Sequence, residues 1–388
     1  MLLCGCGRSP QSVADRGSQA RPDTVPRASA ADDAGRFIAG LPGTAGSTFA
    51  ALETSEAWKE HRRRLDDAWR NAEHPLISGL REFQKKELNE IALRNSPVFY
   101  PFGGPDALTL TLEFPHSPVY VMVGLEPAGT LPSAPQIKRK DLAEYLAETR
   151  ETVASELSRS FFVTGQMDRQ FHGQVTDGLL LPILHLLVRT HHTILGFRYV
   201  RLDEQGQVVD READYKAPGR FGNKGVEIEF RADADRSMHR LYYFSVNLSD
   251  QRLSENRPFL AYLARLKGAT TLLKATSYLI HQREFSLIRD RILANSAAIL
   301  QDDSGIPYRR FEAGAWKVQL YGEYRLPYGS FRWFEQPDLR EAFEAGGAKP
   351  LAFRLGYGYS RIASNLLLAR RVASADLAGR PSLPGELN

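Results

Sequence analysis

The chain has 388 residues, with 50 Lys and Arg against 46 Asp and Glu, a formal net charge of +4. So small a charge over such a length excludes a dedicated nucleic-acid surface, which needs basic residues concentrated on one face. Hydrophobic residues make up 43% of the chain, enough for an ordinary core. The longest apolar run, 178–188, carries Pro182 and His185 and is too short to cross a bilayer.

Only two cysteines occur, Cys4 and Cys6, so disulfides and cysteine-ligated metals are excluded from everything that follows them. The run Met1-Leu2-Leu3-Cys4-Gly5-Cys6-Gly7 resembles the end of a bacterial lipoprotein signal, in which a leucine and two small residues precede the acylated cysteine. Leu3, Cys4 and Gly5 take those positions, and Cys6 would carry the lipid. A basic segment and an apolar segment ordinarily stand before such a cysteine, so the expectation is a start codon further upstream. Residues 7–35 are rich in Ser, Ala, Pro, Arg and Asp without apolar periodicity, and read as a disordered tether. The resemblance implies a membrane partner through a lipid anchor, at the periplasmic face of a bacterial membrane. Gly7 after the cysteine points to the outer membrane. The competing reading is a cytoplasmic protein with two incidental cysteines.

The folded part is expected over 36–372. Trp58, Leu65 and Trp69, then Leu76, Leu80, Phe83 and Ile91, form two stripes at helical spacing, predicting a helical hairpin over 53–94. Val98, Phe99, Tyr100 and Phe102 suit a strand, and Gly103-Gly104-Pro105-Asp106 is a turn signal. A second strand, 119–125, is apolar throughout, as strands buried on both faces are, and Glu126 follows its carboxyl end. Asp141 with Glu144 resembles a capping box opening a helix, and another helix is expected over 169–190. The period then changes to two. Strands are predicted at 193–202, 226–230 and 241–248, the last two an antiparallel pair. A β-rich run at 270–280, a helix at 283–293 and a strand at 297–300 make a crossover that aligns its two strands in parallel. Further strands are expected at 316–324 and 351–359, and a loose tail at 373–388. The fold class is α+β: a mixed, largely antiparallel sheet of about seven to nine strands, helices packed on it, and one strand–helix–strand crossover.

In open sheets with crossovers, ligands bind beyond the carboxyl ends of the strands. Glu126, Asp302 and Asp303 fall there, with His281 just past a neighbouring strand. These are the candidate catalytic and metal-binding residues, for a divalent cation or for a carboxylate acting as general base. Gln301-Asp302-Asp303-Ser304-Gly305 also has the composition of a surface turn. Gly103, Gly104 and Asp106 are candidate ligand-binding residues, because glycine-rich turns let backbone amides approach an anion. They match neither the phosphate-binding loop nor GxGxxG, and Asp106 would equally cap the segment after it. His172, His185, His191 and His192 lie near Asp168 and Asp177 without the spacing of three or four that zinc sites on helices use. His185, inside an apolar run, reads as a core histidine.

FGGPD at 102–106, VGLEP at 123–127 and LQDDSGIPY at 300–308 resemble a set carried by uncharacterised bacterial proteins. That resemblance implies that the three loops belong together. The functional expectation is a membrane-tethered envelope protein with a binding or scaffolding domain; the alternative is a metal-dependent hydrolase with its carboxylates at strand ends.

Overall fold

The structure, a computed structural model, describes residues 29–92, 95–137, 141–160, 178–212, 223–358 and 363–372. Cys4, Cys6, His172, Asp168, Asp177, the 373–388 tail and tether positions 7–28 lie outside these residues. The folded body starts earlier than residue 36. Ser29 caps helix α1 (Ala30–Ile38), accepting from the Asp32 amide, and Ala31, Ala34 and Phe37 are buried. Polar letters disguise this helix because they bond inward. The Asp32 carboxylate accepts from the Ile194 amide at 2.8 Å, and that of Asp33 from the Thr48 amide at 2.9 Å.

The expected hairpin over 53–94 is instead one helical path. Helix α2 (Glu56–Ala72) runs through π-helical turns at Glu73–Ile77 and Gln84–Leu88 to end at Ala92. Pro75 falls in the first of these turns, where a widened turn accommodates its missing N–H without breaking the helix.

Ten strands among the described residues form one mixed sheet in the order β4-β3-β5-β6-β2-β1-β7-β8-β10-β9. They are β1 (Val98–Pro101), β2 (Val119–Gly124), β3 (His192–Leu202), β4 (Val208–Asp210), β5 (Lys224–Ala232), β6 (Met238–Ser245), β7 (Ala269–Leu273), β8 (Ser296–Gln301), β9 (Trp316–Gly322) and β10 (Asn365–Arg371). The flanks are antiparallel. The centre, β6-β2-β1-β7-β8, is parallel throughout. The α+β class therefore holds, with a parallel heart. The expected crossover is present, β7 reaching β8 through a helix at Ser286–Asn295. A second crossover joins β1 to β2 through the seven-residue helix α3 (Ala107–Glu113). The expected strand at 351–359 is irregular over its described part. Leu355 there bonds through both its amide and its carbonyl to the Ser364 hydroxyl, and the neighbouring strand is β10.

Both faces of the sheet are covered. Tyr100, Tyr120, Met122, Leu300 and Leu368 point into one core with α1, α2 and α3; Phe99, Val121, Val123, Ile299 and Leu367 point into the other. Alternation along each strand divides them.

Phe37 stacks on Phe49 at 4.7 Å, and its carbonyl accepts from the Trp58 indole at 3.0 Å. Phe37→Ala is expected to cost about 3–5 kcal/mol in urea unfolding; a cost under about 1 kcal/mol would mean that α1 is not part of the core.

Candidate functional site

Counted along the chain, the five parallel strands stand in the order third, second, first, fourth, fifth. The chain leaves β1 toward one side, and later resumes at β7 on the other. Connections therefore diverge beyond the carboxyl ends of β1 and β7, and a crevice opens at such a switch point. It has a volume of about 660 Å³, inside the range of roughly 300–1,000 Å³ usual for small-molecule sites.

The turn after β1 forms its floor. Phe102 and Gly104 have φ of 65° and 56°, and a Cβ on Gly103 would lie 2.4 Å from the Tyr100 ring. Only glycine lets the backbone pass so close to that ring. Asp106 then caps α3, accepting from the Thr109 amide at 2.9 Å. Its other oxygen accepts from the Tyr100 hydroxyl at 2.8 Å and meets the Lys274 ammonium at 2.5 Å. Lys274, at the exit of β7, has a side chain 1% exposed. It also donates to Thr109 at 2.7 Å, Ser160 at 3.2 Å and Glu156 at 3.4 Å. Helix α4 (Leu142–Arg159) supplies Glu156, and Asp141 caps it as the sequence suggests. Burial alone would lower the pKa of Lys274, but Asp106 and Glu156 more than offset it, and the lysine stays charged. Glu113 and Glu156 are each pushed up to about 8, first by burial. For Glu156 the Asp106 charge adds to the rise, and Lys274 opposes it in both.

The wall after β7 holds three departures from ordinary backbone within four residues. Ala275, Ser277 and Tyr278 have φ of 50°, 55° and 54°, conformations that cost about 1–3 kcal/mol each and persist where surroundings over-determine them. The loop after β8 does so. Asp302 accepts from the Ala275 amide at 2.9 Å, Ser304 from the Thr276 amide at 2.9 Å, and Asp303 from the Tyr278 hydroxyl at 2.6 Å. Asp303 also accepts from Asn365 at 3.1 Å, and Asp302 from both the amide and the hydroxyl of Ser304. Asp302, Asp303 and Ser304 are buried, so the loop is an internal clamp rather than a surface turn. Burial and the charge of Asp303 push Asp302 up to about 6. His281 packs edge-on against Tyr278 and Phe334, and burial lowers it to about 4. Among the described residues, no three His, Cys, Asp or Glu side chains stand together as a metal site. Asp302, Asp303, Glu126 and His281 are thus not assembled into one ligand set.

FGGPD and VGLEP do meet in the crevice, while LQDDSG stands behind it and holds the 274–278 loop that lines it. Glu126 follows β2 on the opposite rim; its carboxylate makes no hydrogen bond or ion pair among the described residues, although its carbonyl accepts from Tyr243 at 2.7 Å. Asn247 and Ser249 follow β6 beside it. The helix end of the turn offers no amide to an anion: Pro105 lacks an N–H, the Asp106 and Ala107 amides bond within the turn, and the Asp106 carboxylate occupies that end. Among the described residues, Asp106, Glu126 and Lys274 are the charged ones lining the crevice, a net charge of −1. His185, as the sequence suggests, is a core histidine whose Nε2 accepts from the Trp69 indole at 3.1 Å. Lys274, Tyr278 and Asn247 went unnoticed in the sequence; the one available signal was a lone lysine closing the apolar run Ala269-Thr270-Thr271-Leu272-Leu273.

No protein-family model, curated protein or solved structure matches the chain.

Lys274→Met leaves Asp106 buried without its counter-charge and is expected to cost about 3–5 kcal/mol in urea unfolding; Lys274→Met with Asp106→Asn should recover part of it. Equal losses in the single and double variants would contradict the pairing. Glu113 has a folded pKa near 8, above its unfolded value of about 4.3. The native state therefore holds a proton that the unfolded state has lost, and stability falls as pH rises between those values, by up to about 1.4 kcal/mol per pH unit. The advantage of Glu113→Gln over the parent should grow from pH 5 to pH 8 and level off above; a pH-independent difference would refute it.

Proposed function

We propose that the crevice binds a ribonucleoside cofactor carrying no phosphate against the turn, and that the protein transfers a group from it to a small molecule. The supporting observation is a set of three features at one switch point. A glycine turn follows the first parallel strand, an uncommitted carboxylate follows the second, and a crevice lies between them. Glu126 comes twenty-two positions after Gly104, close to the spacing of about 20 at which doubly wound folds place the acid that accepts from ribose hydroxyls. Those folds seat a pyrophosphate on the helix after the turn. Here the Asp106 carboxylate holds that end, so a dinucleotide or a nucleoside triphosphate meets repulsion. A net negative lining favours a cationic cofactor. S-adenosylmethionine, an adenosine joined to a sulfonium, has that chemistry. Glu126 would hold the ribose, Asn247 and Ser249 would flank the base, and Lys274 with Asp106 would keep the floor rigid and closed to phosphate.

A tether through Cys6 is a second proposal, resting on Leu3-Cys4-Gly5-Cys6. Ser29 bonds to the Ile194 carbonyl near the start of β3, at the sheet end remote from the crevice. An anchor reached through Ser29 would hold the crevice away from the lipid. Mass spectrometry of the native protein should find a lipid-modified Cys6; an unmodified Cys6 in a membrane-free fraction would remove the proposal.

In calorimetric titration, S-adenosyl-L-homocysteine should bind with one site per chain, and NAD and ATP at least tenfold more weakly. Glu126→Ala should weaken the nucleoside at least tenfold with unchanged thermal stability. Tighter binding of ATP, or no effect of Glu126→Ala, would overturn the nucleoside reading.

A further inference from the structure

The crevice has two chemically distinct halves. Its open polar groups lie at the β2 and β6 exits, where the Glu126 carboxylate and the side-chain amide nitrogen of Asn247 stand, the Asn247 oxygen accepting from the Ser249 amide at 2.9 Å. The other half, between the 274–278 loop and the turn Gly329–Phe334, is aromatic: Tyr278 packs on Phe331 at 5.2 Å, and Phe331 on Tyr357 at 5.2 Å. Across from them, Phe102 meets Phe285 edge-on at 5.9 Å. The tyrosine hydroxyls are engaged with the protein. That of Tyr278 donates to Asp303, and that of Tyr357 to the Ala275 carbonyl at 3.1 Å. What this half offers a ligand is mostly ring carbon, with the hydroxyls of Ser330 and Tyr328 at its mouth.

Two further facts single this half out. Tyr278 is held at φ 54°, a costly backbone for a bulky residue, and the clamp described above serves to keep it there. The rim on this side also carries exposed rings: Tyr328 is 69% exposed and Trp333 92%, while Leu125, 60% exposed, stands beside Glu126 on the opposite rim. Leu125 and Tyr328 line the mouth, and Trp333 lies on the same short helix as Phe331. Clustered exposed apolar side chains mark interaction sites.

We infer that this aromatic half is the acceptor subsite and takes an uncharged, flat or unsaturated apolar molecule. This rests on the nucleoside reading for its role as acceptor site, though not for its chemistry. A negative charge on the acceptor would lie against electron-rich ring faces with no cation to pair with, a desolvation cost that an apolar ring avoids. Rings between rings gain from offset and edge-on stacking.

The test uses the full chain and two dyes with one ring system, followed by fluorescence. Uncharged N-phenyl-1-naphthylamine should bind with one site per chain, and its sulfonated relative 8-anilino-1-naphthalenesulfonate at least tenfold more weakly. Phe331→Ala and, at the exposed rim, Tyr328→Asp should each weaken the uncharged dye at least fivefold. S-adenosyl-L-homocysteine, titrated separately, should change less than twofold in both variants. Failure of the uncharged dye to bind, equal binding of the sulfonate, or indifference of the uncharged dye to both substitutions would overturn the acceptor subsite. Failure of the homocysteine alone would instead overturn the nucleoside reading and leave an apolar site standing.

Discussion

An ammonium group shut away from water ties this molecule together at the point where its chain divides. Lys274 leaves β7 and meets Asp106, which comes from the turn after β1. Those strands are the two between which the connections part. An isolated buried charge costs several kcal/mol, and pairing repays this only with close geometry and further hydrogen bonds. Both conditions hold here, with Thr109, Ser160 and Tyr100 completing the set. The pair does more than close a gap in the core. It fixes the distance between the two walls of the crevice, and it fills with a carboxylate the helix end at which another fold would receive phosphate.

The second constraint is backbone strain held in place from behind. Three residues of the 275–278 loop sit in the left-handed region, and nothing local to Lys274-Ala275-Thr276-Ser277-Tyr278 favours that. The clamp from Asp302, Asp303 and Ser304 supplies the reason, since each accepts from a group that the strained loop presents. The same polar residues that could have coordinated a cation are occupied in positioning an aromatic wall. Shape and charge then act together: a rigid floor closed by a carboxylate, the Glu126 carboxylate at the exit of β2, and a ring-lined half in which the hydroxyls of Tyr278 and Tyr357 are turned to the protein.

Much of the frame was legible in the sequence, because strands and caps announce themselves locally. The apolar run of β2, the alternation in β5, the Asp141 cap and the β7-to-β8 crossover all follow from short-range pattern. The order of strands across the sheet does not, because it depends on which edge each later strand joins. Helix α3 was hidden by the strand-like letters of Ala107-Leu108-Thr109-Leu110-Thr111-Leu112, which tertiary burial on every side overrides. Asp302-Asp303-Ser304-Gly305 has the composition of an exposed turn; only the amides and the hydroxyl it meets across the fold make it internal. For the same reason Glu126 could be placed at a strand end, while the lack of a partner for its carboxylate among the described residues could be seen only once its neighbours were known.

In the proposed function, the switch-point crevice holds a nucleoside through Glu126. A crystal structure of the full chain grown with S-adenosyl-L-homocysteine tests it most directly. The account predicts the ribose hydroxyls within about 3.2 Å of the Glu126 carboxylate, with the base beside Asn247 and no ligand atom displacing Asp106 from Lys274. A crevice left empty at saturating ligand, or the nucleoside bound elsewhere on the molecule, would contradict it.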